Sequence, residues 1–302
     1  MRPKRGLVAL LVAAACVLLL LRGHPAAHTA ASAGYPDGPS PPGQAIDPAL
    51  FSRGACMAYA PVNGDRHETV FLDAGHGGID PGGVGTEDGT TVTESTVNLP
   101  IEMGTMEILR AQGYRVVVSR TENTTVTRLS PADVVDGTLT WQGVAADVAA
   151  RDVCANLARA DVLIGIYMDA GSPGVAGCLT GYDADRPFSA ENLRLATLLQ
   201  DDVLGAMNAQ GWHVPNQGVL PDTGLGSTLT SSSAGYGHLL LLGPAEAGYF
   251  STPSEMPGAL IETLYLTDPA EASIAESSQD QQVIALAIAK AVNQYFASSS
   301  PG

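Results

Sequence analysis

Thr69-Val-Phe-Leu-Asp-Ala-Gly-His-Gly-Gly-Ile-Asp-Pro-Gly-Gly83 opens as a short apolar, β-branched run and breaks into glycines. Such a run reads as a buried strand. The glycines permit a turn whose backbone can approach a ligand closely, and that turn presents His76 and Asp80. No Lys-Ser or Lys-Thr follows and no G-x-G-x-x-G occurs there, so a phosphate loop is excluded.

Comparable runs recur at 114–119, 161–167, 178–182, 238–242 and 259–266, and each reads as a strand. Helical periods lie between them. Ala146, Ala149, Ala150, Val153 and Leu157 share one face; Leu193, Ala196, Leu199, Val203 and Met207 share another; Ile284, Ile288, Ala291 and Tyr295 share a third. The stretch after Glu94 is helical in pattern as well, and Pro100 requires it either to start near Asn98 or to bend. Alternating strands and helices predict a single α/β domain with a twisted, mostly parallel central sheet flanked by helices. Two long polar connections, 121–142 and 211–237, are of a length that is functional or disordered in compact domains.

At the N-terminus Met1-Arg-Pro-Lys-Arg5 precedes an apolar run from Gly6 to Leu21, followed by Arg22. This is the layout of an export signal, with Ala31-Ser-Ala33 as a cleavage site. Residues 1–33 are therefore expected to be a signal peptide or, if uncleaved, a membrane anchor, and the protein is expected to be secreted or associated with the cell envelope. Ala13-Ala-Ala-Cys16 is not read as a lipidation site, because the apolar run continues through Leu21. Residues 34–55 form a Pro/Gly-rich linker, 56–296 the catalytic domain and 297–302 a flexible tail.

The chain carries a formal charge of −16. Removing the leader leaves 11 basic against 31 acidic residues, or −20. Nucleic-acid binding depends on neutralising phosphates, so nucleic acid is excluded as a partner. Beyond the leader lie Cys56, Cys154 and Cys178, which allow one disulfide and one thiol, with the pairing open. No C-x-x-C spacing suggests a thiolate metal site.

Two acidic residues stand out. Glu94 heads a helical stretch, where the helix dipole favours a carboxylate. Glu262 sits inside Ala259-Leu-Ile-Glu-Thr-Leu-Tyr-Leu266, and a carboxylate in such a run is costly to bury unless it is paired, metal-bound or at the mouth of a site.

Five fragments, in order, resemble the type 3 zinc-dependent N-acetylmuramoyl-L-alanine amidases: Asp73-Ala-Gly-His-Gly-Gly-Ile-Asp-Pro-Gly82, Glu94 before a helix, Gly113-Tyr-Arg-Val-Val-Val-Ser-Arg120, Ala155-Asn156 before Ala160-Asp-Val-Leu-Ile-Gly-Ile166, and Leu260-Ile-Glu-Thr-Leu-Tyr-Leu-Thr-Asp268. The resemblance implies Zn2+ held by His76, Glu94 and a second histidine, with Glu262 as the catalytic carboxylate and peptidoglycan as substrate. The bond cut would be the amide between N-acetylmuramic acid and L-alanine.

The chain departs from the pattern at the second histidine, where Gly165-Ile-Tyr167-Met-Asp169 stands. Tyr167 as a phenolate is one candidate third ligand. Asp169 is the other, since residues two apart on a strand face the same way. His238 is a further candidate as a displaced ligand. Two alternative readings remain: an amidase-fold protein that binds wall glycopeptide or a partner without cutting, and a zinc peptidase or carboxypeptidase of other specificity. The interval from Arg120 to Arg151 is longer than the family pattern implies, and 121–142 is expected to gate the cleft.

Overall fold

The computed structural model describes residues 43–225 and 235–298. The expected leader, residues 34–42 of the linker and residues 299–302 of the tail lie outside the described residues.

Twelve strands and five helices are described. The strands are β1 (Gln44–Ala45), β2 (Ala55–Tyr59), β3 (Thr69–Ala74), β4 (Val84–Glu87), β5 (Thr90–Thr93), β6 (Arg115–Arg120), β7 (Val134–Val135), β8 (Thr138–Leu139), β9 (Val162–Asp169), β10 (Cys178–Tyr182), β11 (Asn216–Pro221) and β12 (Gly258–Tyr265). The helices are α1 (Glu94–Ala111), α2 (Trp141–Ala158), α3 (Ser189–Ala209), α4 (Pro269–Glu276) and α5 (Ser278–Ala297). Eight strands form one mixed sheet in the order β1-β2-β6-β3-β9-β12-β10-β11. Its centre, β6-β3-β9-β12, is wholly parallel. The outer β2 and β10 run antiparallel to their inner neighbours.

Central strands read as continuous apolar runs because both faces are covered. Val70, Leu72, Ile164, Ile166 and Ile261 pack against α1, α3 and α5. Phe71, Val117, Leu163 and Leu260 pack towards α2. Alternation along β3, β9 and β12 thus puts Asp73, Tyr167 and Glu262 on the α2 side of the sheet, at the C-terminal strand ends where ligands of open α/β sheets bind.

The helix of Glu94 starts at that residue and continues through Pro100, which is exposed and removes only its own N–H from the ladder. Glu94 therefore sits in the first turn, beside the end of β5.

Three expectations are corrected. Residues 238–242 form turns, with Leu242 N and Gly243 N both donating to the Leu239 carbonyl. Their apolar character reflects burial of Leu241 and Leu242 under the sheet, and periodicity does not separate a buried turn from a strand. The connection 211–237 contains β11, an edge strand whose polar sequence hid it. The inward face of α2 is more polar than its apolar period implies: Ala149, Ala150 and Val153 pack against the core from partly buried positions and Leu157 is exposed, while Gly143, Asp147, Arg151, Asp152, Cys154 and Ala155 are buried.

Cys56 pairs with Cys154 and joins β2 to α2, while Cys178 is a buried thiol. The bridge spans 98 residues of sequence, and a loop of that size closed in the unfolded chain is worth about 3–5 kcal/mol. Replacing both cysteines with alanine should lower the unfolding free energy by that amount in denaturant titrations. A loss below about 1 kcal/mol would mean that the sheet already supplies the constraint.

Candidate active site

β3 ends at Ala74, and the chain turns so sharply that His76 takes a left-handed backbone conformation (φ 60°). A non-glycine residue persists there only when its surroundings over-determine it. Arg151 supplies part of the constraint, donating to the carbonyls of Ala74 and His76 at 2.8 Å each. Gly77 and Asp80 close the loop with reciprocal backbone hydrogen bonds.

The imidazole is held from both sides. Nδ1 lies 2.8 Å from Asp80 Oδ2, and Nε2 lies 3.3 Å from Glu94 Oε2. Burial alone would lower the His76 imidazole, but Glu94 and Asp80 outweigh it and raise it to about 9. Glu94 is fixed in turn by Gly83 N at 2.8 Å, Met168 N at 3.1 Å and Asn98 Nδ2 at 3.3 Å. Gly82 is required here, because a Cβ would run into both the His76 ring and Glu94 Oε2.

Zinc bonds of about 2.0–2.1 Å to N and O in tetrahedral geometry put two donors roughly 3.3–3.4 Å apart. His76 Nε2 and Glu94 Oε2 have that spacing. They border a cleft of about 430 Å³ that is also lined by Tyr167, Asp169, Glu262 and Leu239–Leu241.

Tyr167 lies in the cleft wall with its hydroxyl directed to Asp73 Oδ2 at 2.9 Å. Its ring fills the space above Gly75, which has no room for a side chain. Asp73 also receives Arg151 Nη1 at 2.5 Å. Burial, followed by the Asp73 charge, pushes the Tyr167 phenol well above its ordinary value. The hydroxyl is a donor in a buried network with Asp73, Arg151 and Asp147.

Asp169, two residues on, accepts from Ala170 N through Oδ1, and its Oδ2 has no hydrogen-bond partner. Glu262 Oε2 is likewise buried and unpartnered. Burial raises the Glu262 carboxyl well above its usual range, and Asp169 and then Glu94 raise it further. Two adjoining acids that cannot both ionise cheaply share one face of the cleft. A divalent cation would relieve both.

His238 is not part of this site. It follows β11 and sits with Asp183 and Asp222, and these three form the one group of three or more His, Cys, Asp or Glu donors within 4.8 Å of one another among the described residues. The segment 121–142 contributes no residue to the cleft lining. It buttresses the His76 loop instead: Asn123 accepts from Gly78 N, and Thr127 N donates to Asp147.

The sequence pattern did not reveal Asp73, Arg151 or Glu102 as participants. Glu102 Oε1, under the site, accepts from Ala74 N, Ser119 N and Ser119 Oγ. Burial raises its carboxyl to about 8 despite Arg120. A folded value above the unfolded one means that the native state holds a proton the unfolded state has released, so stability falls as pH rises from about 4.5 to about 8. Glu102→Gln should melt with the parent near pH 5 and above it near pH 9. Equal melting temperatures at both pH values would show that Glu102 is charged throughout.

A family described as N-acetylmuramoyl-L-alanine amidase matches residues 70–294. The germination-specific N-acetylmuramoyl-L-alanine amidase of Bacillus subtilis is 26% identical over 229 residues, covering 75% of this chain and 79% of that one. The N-acetylmuramoyl-L-alanine amidase AmiC of Neisseria meningitidis is 26% identical over 249 residues, 78% of this chain but only 54% of its own length. The crystal structure of an N-acetylmuramoyl-L-alanine amidase from Clostridium difficile 630 superposes with a TM-score of 0.55 at 25% identity, covering 79% of this chain and all of that one. With its family match over residues 70–294, which takes in the His76 turn, Glu94 and Glu262, this chain belongs to the N-acetylmuramoyl-L-alanine amidase family as a divergent member.

Proposed function

We propose that this chain hydrolyses the amide between N-acetylmuramic acid and L-alanine in peptidoglycan, with Zn2+ held by His76 and Glu94 and completed by Asp169, whose carboxylate would close on the pair when the ion binds, since the three do not lie within 4.8 Å of one another. The observation that carries the reading is the pair His76 Nε2 and Glu94 Oε2, at ligand spacing, in a cleft that Asp169 and Glu262 also line. Of the two candidate third ligands, Asp169 is favoured because Tyr167 gives its hydroxyl to Asp73. When bound, the metal would acidify water and polarise the scissile carbonyl.

The protein's own residues supply the rest. Asp80 orients His76 by accepting from Nδ1, which leaves Nε2 for the cleft. Glu262, ionised beside a bound cation, takes the proton of the attacking water and returns it to the departing alanine amine. Leu239–Leu241 and Val148 give the cleft an apolar wall, which strengthens electrostatic interactions by excluding water. The high acidity of the chain is compatible with a substrate recognised by shape and hydrogen bonding rather than by charge.

Residues 1–33 are proposed to direct export, giving a secreted or envelope-associated enzyme whose folded domain takes in residues 44–55 of the expected linker, where β1 pairs with β2 and Phe51 is buried. No helix among the described residues is long and apolar enough to cross a membrane.

A second reading, wall binding without cutting, is favoured by the replacement of the second histidine with Tyr167. Glu262→Gln separates the two. Release of stem peptides from purified peptidoglycan should drop about 10²–10⁴-fold while sedimentation with the wall is retained. Parent protein that sediments with the wall but releases no stem peptide would favour the binding reading, and release undiminished in Glu262→Gln would remove Glu262 from the mechanism.

A further inference from the structure

β10 and β11 run side by side in parallel, and their registers meet at Tyr182 opposite Pro221. The next residue on each strand is an aspartate. Asp183 and Asp222 are therefore brought together at one end of the sheet, and both are fully buried. His238 covers them from the far side, with its side chain 13% exposed. Its Nδ1 lies 3.1 Å from Asp183 Oδ2 and 3.2 Å from Asp222 Oδ2.

One proton on Nδ1 is too few for two buried carboxylates. The imidazole's hydrogen bonding is directed to Asp222, whose two oxygens lie 3.2 and 3.3 Å away. Asp222 Oδ2 also accepts from Leu239 N at 3.0 Å. Asp183 Oδ1 accepts from Asp185 N at 2.6 Å, but Asp183 Oδ2 has no hydrogen-bond partner although it is buried and aimed at the cluster. A buried carboxylate oxygen that accepts no hydrogen bond is expensive to keep.

We propose that Asp183, Asp222 and His238 form a second divalent-cation site, separate from the cleft of His76, that takes Zn2+ or Mn2+. A doubly charged ion neutralises both carboxylates at once and uses the Nδ1 lone pair as its third donor. The donor separations of 3.1 and 3.2 Å are close to those of ligands around one ion with bonds of about 2.0–2.2 Å. Mixed imidazole and carboxylate donors suit these ions, whereas Ca2+ and Mg2+ prefer all-oxygen shells. Solvent reaches the imidazole from the Asp185 side, where Asp185 Oδ2 lies 4.0 Å from His238 Nε2 and is well exposed.

The consequence is structural coupling. Leu239–Leu241, directly after His238, line the cleft. An ion at the second site ties that wall to the ends of β10 and β11, so it fixes the shape of the cleft without touching the substrate.

The test is zinc content by elemental analysis after dialysis against buffered free Zn2+, on the full chain and three variants. The parent should retain about two equivalents, His76→Ala and Asp222→Asn about one each, and the double variant none. If the cleft does not hold zinc, the parent and His76→Ala should both retain one and Asp222→Asn none, which still supports the second site. Equal zinc in the parent and Asp222→Asn would overturn it. Should Asp222→Asn fail to fold, acylation of His238 by diethyl pyrocarbonate in His76→Ala, read by mass spectrometry, decides the matter: zinc should suppress the labelling at least several-fold relative to chelator, and unchanged labelling would overturn the site.

Discussion

Asp73, buried at the end of β3, is the group on which the rest of the site depends. It accepts from Arg151 at 2.5 Å and from Tyr167 at 2.9 Å, and Arg151 in turn holds the carbonyls of Ala74 and His76. The left-handed turn that aims His76 at the cleft is thus paid for by a buried ion pair three residues upstream. A buried carboxylate stripped of its partners is strongly destabilising, so Asp73, Arg151 and Asp147 behave as one unit. Tyr167 belongs to that unit, which explains how an aromatic phenol occupies a strand position in the cleft wall.

The same arrangement concentrates uncompensated acid in the cleft. Glu94 is satisfied by three N–H donors, whereas Asp169 and Glu262 each keep a buried oxygen without a partner. Stability is sacrificed where a ligand is expected. The Asp183, Asp222 and His238 cluster repeats the pattern at the ends of β10 and β11, and His238 connects the two regions through the Leu239–Leu241 wall.

Much of this was legible in the sequence, for identifiable reasons. The central strands are apolar on both faces, so β3, β6, β9, β10 and β12 stand out as runs, and their alternation with helices gives the α/β class. His76, Glu94 and Glu262 are read from short local patterns, and the fold brings them to one edge because each lies at a strand end or a helix start. What was hidden is polar and buried. Arg151 and Asp147 turn inward on α2 while Leu157 faces solvent, so apolar periodicity finds only the rim of the buried face and misses its polar centre. β11 carries the polar sequence of an edge strand. The partner of Tyr167 is 94 residues away, beyond the reach of any local pattern.

The most direct measurement is zinc affinity by chelator competition for Tyr167→Phe and Asp169→Ala beside the parent, each on an Asp222→Asn background so that only the cleft is read. With Asp169 as the third ligand, Tyr167→Phe should bind within a few-fold of the parent and Asp169→Ala should lose about 10²-fold or more. Affinity lost in Tyr167→Phe and kept in Asp169→Ala would contradict the assignment and make the phenol the ligand.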